Sequence, residues 1–146
     1  MMLQTVNRST AEIIYGNFTN AAGATITTGY AVALTTTVAS LDGNLAVLPA
    51  ASQQRTFLGI ASSDVADNAV GKYIAYGYAA SVFYFAEATS VSVITPDHCA
   101  GVGVAGSNGV GYLGITTVLG PVVILSSLGA IVRSAGGYIR GFVRAM

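Results

Sequence analysis

The chain has 146 residues, 53% of them hydrophobic and only 8% charged, where an ordinary soluble domain is about one quarter charged. Six basic and six acidic residues leave no net charge, which removes any bulk electrostatic case for a nucleic-acid partner. A neutral chain so poor in charge associates unless its apolar surface is buried against partners or in a membrane. Its length corresponds to one domain with a sizeable core.

The chain begins without a basic start and apolar run of the secretory kind, so no signal segment is expected. Ser9-Thr10-Ala11-Glu12 has capping-box spacing ahead of Ile13 and Ile14, which predicts a short helical turn. The remainder of residues 1–20 reads as an extended N-terminal arm, and residues 21–146 as a single β domain. Glycine, Thr, Val, Ile and Tyr dominate that domain, and long helical patterns are absent.

Tyr30, Val32 and Leu34 alternate with Ala31 and Ala33, the period of a strand. The run Tyr73 to Ala86, YIAYGYAASVFYFA, is apolar on both faces. Strict alternation puts Ile74, Tyr76, Tyr78, Val82 and Tyr84 on one side and Tyr73, Phe83 and Phe85 on the other. A strand without a polar face is covered on both sides, and the second cover is expected from another subunit. Tyr76, Tyr78, Phe83 and Phe85 are therefore the candidate subunit-interface residues.

Farther along, Val110 to Ile131 is 22 residues long and uncharged, enough to span a bilayer by length. Its four glycines, its proline and its β-branched residues favour strands instead, so no membrane partner is expected. In the terminal strand GYIRGFVRAM, Tyr138, Arg140, Phe142 and Arg144 share one face, with Ile139 and Val143 on the other. Arginines interleaved with aromatics suit an acidic protein surface or stacking on bases, and the solvated outer face of a core strand is the alternative; three arginines are too few to argue for nucleic acid. From residue 98 onward the chain holds three arginines and no acid, while residues 1–97 hold three basic residues against six acids.

Two phrases recur in order. Phe57-Leu58-Gly59-Ile60-Ala61 resembles Tyr112-Leu113-Gly114-Ile115-Thr116, and Gly71-Lys72-Tyr73-Ile74 resembles Gly136-Gly137-Tyr138-Ile139. A duplicated strand unit explains this; convergent composition in a Gly/Tyr-rich chain is the alternative. The fold class is accordingly all-β, a small β-barrel or β-sandwich.

Residues 101–106, GVGVAG, match a dinucleotide fingerprint, which must open a helix and be followed by an acid for the ribose. The residues after it read as turn and strand, Asn108-Gly109 is a strong hairpin signal, and no acid occurs after Asp97. A glycine-rich β turn is the better reading. Adjacent His98 and Cys99 point to opposite faces of an extended chain and form no dyad. Asp64 and Asp67 in SSDVADNAVGK read as turn-capping residues rather than a calcium loop. No catalytic residue, cofactor or metal site is expected, and the chain reads as a non-enzyme.

Residues 57–83, FLGIASSDVADNAVGKYIAYGYAASVF, together with Gly29-Tyr30-Ala31-Val32 and the ending GFVRAM, resemble tailed-bacteriophage capsid decoration (cement) proteins. That resemblance implies a homotrimer on the outer surface of the virion. It would bind the major capsid protein and stabilise the head. Tyr138, Arg140, Phe142 and Arg144 are then the candidate capsid contacts. A fibre, spike or tail-associated β module that binds a host receptor is the alternative.

Overall fold

The computed structural model describes residues 12–35, 44–49, 56–85, 92–94, 99–104, 111–116, 122–124, 128–131 and 136–145. Its strands are β1 (Ile14–Asn20), β2 (Ala31–Leu34), β3 (Leu45–Val47), β4 (Phe57–Ala61) and β5 (Val70–Phe85). Next in the chain come β6 (Ser92–Ile94), β7 (Cys99–Val104), β8 (Gly111–Thr116), β9 (Val122–Ile124), β10 (Leu128–Ile131) and β11 (Gly136–Arg144). The fold is all-β over the described residues, as the β-branched and aromatic composition requires. The apolar stretch from Val110 to Ile131 contributes three separate strands, and no helix among the described residues is long and apolar enough to cross a membrane.

Five strands close on themselves in the order β1-β3-β2-β4-β5, with β5 pairing back to β1. All these pairings are antiparallel except β1 with β3. Closure leaves no open edge in this barrel. A second set, β5-β11-β9-β7-β8, returns to β5 through a parallel pairing of Tyr84 with Leu113, and β6 and β10 form a separate two-stranded sheet. At 16 residues, β5 runs roughly 50 Å, long enough to serve both sets.

Residues 14–20, expected as part of an arm, are strand β1 instead. Gly16 and Phe18 lie opposite Tyr73 and Gly71 of β5, and Phe18 is fully buried inside the barrel. Local sequence could not show this, because the pairing joins segments far apart in the chain. Residues 1–11, including most of the capping-box spacing, lie outside the described residues.

Two cores result. Inside the barrel, Phe18, Ile26, Val32, Ala46, Ala61 and Val65 pack together. On the other side of β2, β4 and β5, residues Ala31, Ile60 and Ile74 pack against Val82, Val122, Ile139 and Val143. Neighbours such as Ala31 and Val32, or Ile60 and Ala61, thus enter different cores, as alternation demands. The double burial expected of such apolar strands is present. Its source is corrected: β11 and β9 of the same chain supply the second cover, because the chain folds back along β5.

Strict alternation along β5 is also corrected. Against β1, Ile14 faces Tyr76 and Tyr15 faces Ile74, leaving Ala75 as an extra residue. Against β11, Ile139 faces Val82 and Gly141 faces Ala79, so Ala80 and Ser81 together oppose Arg140. Each bulge shifts the inward phase by one residue. Ile74, Ala79 and Val82 consequently share one core, while Tyr76 and Tyr78 face outward between the two bulges.

The loops that cap the barrel are held by Asn20, whose side chain is fully buried. Its Nδ2 donates to the Ala24 and Val65 carbonyls, both at 2.8 Å, and its Oδ1 accepts from the Ala22 N–H at 2.9 Å. A buried amide with all these partners is stabilising, whereas one left unpaired would be costly. Ile26 and Val65 exchange backbone bonds of 2.9 Å beside it.

Candidate functional site

Strand β11 keeps the expected period of two. Ile139 and Val143 are buried, while Tyr138, Arg140 and Arg144 are exposed and Phe142 is half-buried. Gly141 completes the inward row, where a Cβ would stand only 2.8 Å from Val122 Cγ1. The face proposed from sequence therefore exists.

Its neighbour is the other proposed set. In the β5–β11 register Tyr138 faces Phe83, Phe142 faces Tyr78 and Arg144 faces Tyr76. Opposed side chains lie on the same side of a sheet, with diagonal neighbours within reach of aromatic rings. The rings of Phe83 and Tyr138 meet edge-on at 5.3 Å, and those of Tyr76 and Phe142 at 5.1 Å. Tyr30 adds a third ring, 4.8 Å from Phe83. Candidate capsid contacts and candidate subunit contacts, separate in the sequence, thus form one outer face. Phe85 pairs with Gly136 at its far end.

Strand β1 extends this face. Ile14, 50% exposed, pairs with Tyr76 across β5 from Arg144; Tyr15, 52% exposed, points to the opposite side of β1, beside Ile74. These two residues were missed as site candidates because they fell within the supposed arm. The apolar trio Ile13-Ile14-Tyr15 was the available signal. Along β5 and β11 the charged residues are Lys72, Arg140 and Arg144, with no acid on either strand. Solvent-exposed arginines among aromatic rings favour carboxylate-bearing surfaces, since the guanidinium both stacks and donates in pairs.

Beside the face lies an open cleft of about 280 Å³ lined by the apolar side chains of Ile13, Ala61 and Ile74 and by the exposed Ala80. Tyr15 and Tyr78 flank it, and Tyr78 also belongs to the outer face. At the rim, the Thr28 hydroxyl donates to Asp64 at 2.8 Å and the Ser62 hydroxyl donates to the Lys72 carbonyl at 3.0 Å.

The remaining sequence candidates resolve into structure. Asp64 Oδ1 accepts from the Thr28 N–H at 2.7 Å as well as from its hydroxyl, and Asp67 Oδ1 accepts from the Gly23 N–H at 2.9 Å. Both aspartates thus tie residues 62–69 to residues 21–28, capping a neighbouring loop rather than their own turn. The Thr28 backbone bond, then its hydroxyl, holds the Asp64 carboxyl below the ordinary value of 3.8. Gly101 and Gly103 lie within β7, which pairs with β8 from Cys99–Thr116 to Val104–Gly111 as a hairpin. A strand, not a helix, is the next described element after the GVGVAG stretch, and the glycines at 101 and 103 are strand residues; residues 105–110 lie outside the described residues. Cys99 is on β7, and His98 lies outside the described residues. Among the described residues no three His, Cys, Asp or Glu side chains converge. No protein-family model matches the chain, and no curated protein matches it.

Proposed function

We propose that the chain is a structural, non-enzymatic virion protein that binds the outside of a capsid lattice as an oligomer and stabilises the head. The observation that carries this reading is the outer face of β1, β5 and β11, where exposed Tyr76 and Tyr138 and half-buried Tyr78, Phe83 and Phe142 share a side with Arg140 and Arg144. Such a face has the composition of an interface core, rich in Tyr, Phe and Arg and poor in acids. It stands on paired strands rather than loops, so its geometry is preset and little ordering entropy opposes docking. The phrase that resembles decoration proteins spans β4, the Asp64–Asp67 loop and most of β5, which together form the scaffold behind this face.

The proposed partner is the major capsid protein, and a homotrimer is the oligomeric form the resemblance implies. Reconstitution on undecorated particles tests the docking: Arg140→Ala with Arg144→Ala lowers occupancy, and unchanged occupancy rejects this face. Mass measurement in solution tests the oligomer, which a dispersed monomer rejects.

The recurring phrases support a duplicated strand unit within the same proposal. Phe57–Ala61 and Tyr112–Thr116 are β4 and β8, while the second phrases open β5 and β11. Their pairings differ, since β4 pairs antiparallel with β2 and β5 whereas β8 pairs antiparallel with β7 and parallel with β5; a duplication would have been followed by re-pairing.

A further inference from the structure

We propose that the cleft beneath Tyr15 and Tyr78 is an anchor pocket for one large apolar side chain of the docking partner; this rests on the docking function proposed above. Four observations carry it. Ile13, Ala61, Ile74 and Ala80 give the cleft an apolar lining and no charged side chain lines it, so a charged group entering it would lose hydration without compensation. At about 280 Å³ it is at the small end of ligand sites, which run from roughly 300 Å³ upward, and so fits a side chain better than a nucleotide or cofactor. The Thr28 and Ser62 hydroxyl protons are already committed to Asp64 and to the Lys72 carbonyl, which leaves Tyr15, Tyr78 and Ser81 as the remaining hydroxyls of the lining for a polyhydroxylated ligand. Finally, Tyr78 is shared between the cleft and the aromatic face, so a partner seated on the face also covers the cleft.

The partner's surface is acidic around that side chain on the β11 side. Lys72, Arg140 and Arg144 are the only charged residues of β5 and β11, and complementary potential speeds and orients encounter. The division of labour is then that of a hot spot: a desolvated apolar knob in a hole, with the basic residues of β5 and β11 selecting the partner.

The probe for the cleft is N-acetylphenylalaninamide, which carries a large apolar side chain and no charge, with glucose as the polyhydroxylated control. Titration followed by backbone amide NMR should give saturable shifts at Ile13, Ser62 and Ser81, with affinity on the order of millimolar for so small a probe. Glucose should leave these amides unmoved. Ala80→Trp, which places a large side chain in the cleft lining, should abolish the shifts; Tyr15→Ala, at an exposed position, should weaken them at least about fivefold. Absence of saturable shifts, or shifts with glucose alone, overturns the proposal. On particles, Ala80→Trp should reduce occupancy about tenfold at limiting protein. If Ala80→Trp docks normally while the double arginine variant does not, the pocket is rejected and the docking face stands. If both variants dock normally, the docking face and the pocket fall together.

Discussion

Tyr138 lies directly across from Phe83 in the β5–β11 register, and their rings meet edge to face at 5.3 Å. Tyr138 remains 49% exposed, so this pair organises the outer face without belonging to a core. Edge-on aromatic pairs contribute about 0.5–1.5 kcal/mol beyond burial. A double-mutant cycle of Tyr138→Ala and Phe83→Leu, read by urea unfolding, should give a coupling energy in that range. Additive effects would show that the rings are neighbours without mutual support.

Asn20 makes the opposite kind of contribution, from full burial. Asn20→Ala strands the Ala22 N–H and the Ala24 carbonyl and leaves the Val65 carbonyl with only its bond from the Ile26 N–H, at about 1–3 kcal/mol for each group that finds no water. A net loss of roughly 2–4 kcal/mol in unfolding free energy is expected. Asn17→Ala, on the exposed side of the same strand, should change stability by less than about 0.5 kcal/mol.

Gly59 on β4 and Gly137 on β11 differ in their surroundings. At Gly59, with φ of +155°, an added Cβ would collide with the Ile74 carbonyl of the adjacent strand, whereas at Gly137 nothing lies within 4 Å. Gly59→Ala should cost at least about 2 kcal/mol through strain and overpacking. Gly137→Ala should be close to neutral. Comparing their denaturation midpoints checks the close β4–β5 approach.

The Asp64 carboxylate should make stability fall in acid. Its folded-state pKa is held below the ordinary 3.8 by the two Thr28 bonds. The unfolded chain therefore binds the proton first as pH falls. The contribution is complete above the ordinary value, declines as pH drops through it, and vanishes below the folded value. Asp64→Asn should flatten this part of the pH profile of the urea midpoint. An unchanged profile would show that Asp64 does not hold the loops together.

Arg140→Ala with Arg144→Ala should leave the unfolding free energy within about 1 kcal/mol, because exposed charges contribute little to folding. The same variant should lose particle docking, most sharply at low salt, where steering is strongest. Stability and docking are thereby separated in one protein.

The terminal face was legible because β11 holds a strict period of two across Gly136–Arg144, which local backbone geometry alone converts into two faces. The β7–β8 hairpin was equally local, announced by Asn108-Gly109. In β5 the same reasoning went astray at Tyr76 and Tyr78. Bulges at Ala75 and at Ala80–Ser81 are set by where β1 and β11 pair, and no residue type within β5 marks them. Ile14 and Tyr15 were hidden for a related reason, since β1 is a strand only by virtue of β5 and β3.

By itself the sequence determined the all-β class, the inward and outward rows of β11, and the excess of arginine over acid near the C-terminus. Each comes from composition or from short-range periodicity, which needs no knowledge of partners. Only the tertiary structure decided that β1 completes a closed barrel, that the second apolar cover comes from the same chain, and that two aromatic sets become one face. Those outcomes depend on register between distant strands, and register is chosen by the joint burial of both strands rather than by either one alone.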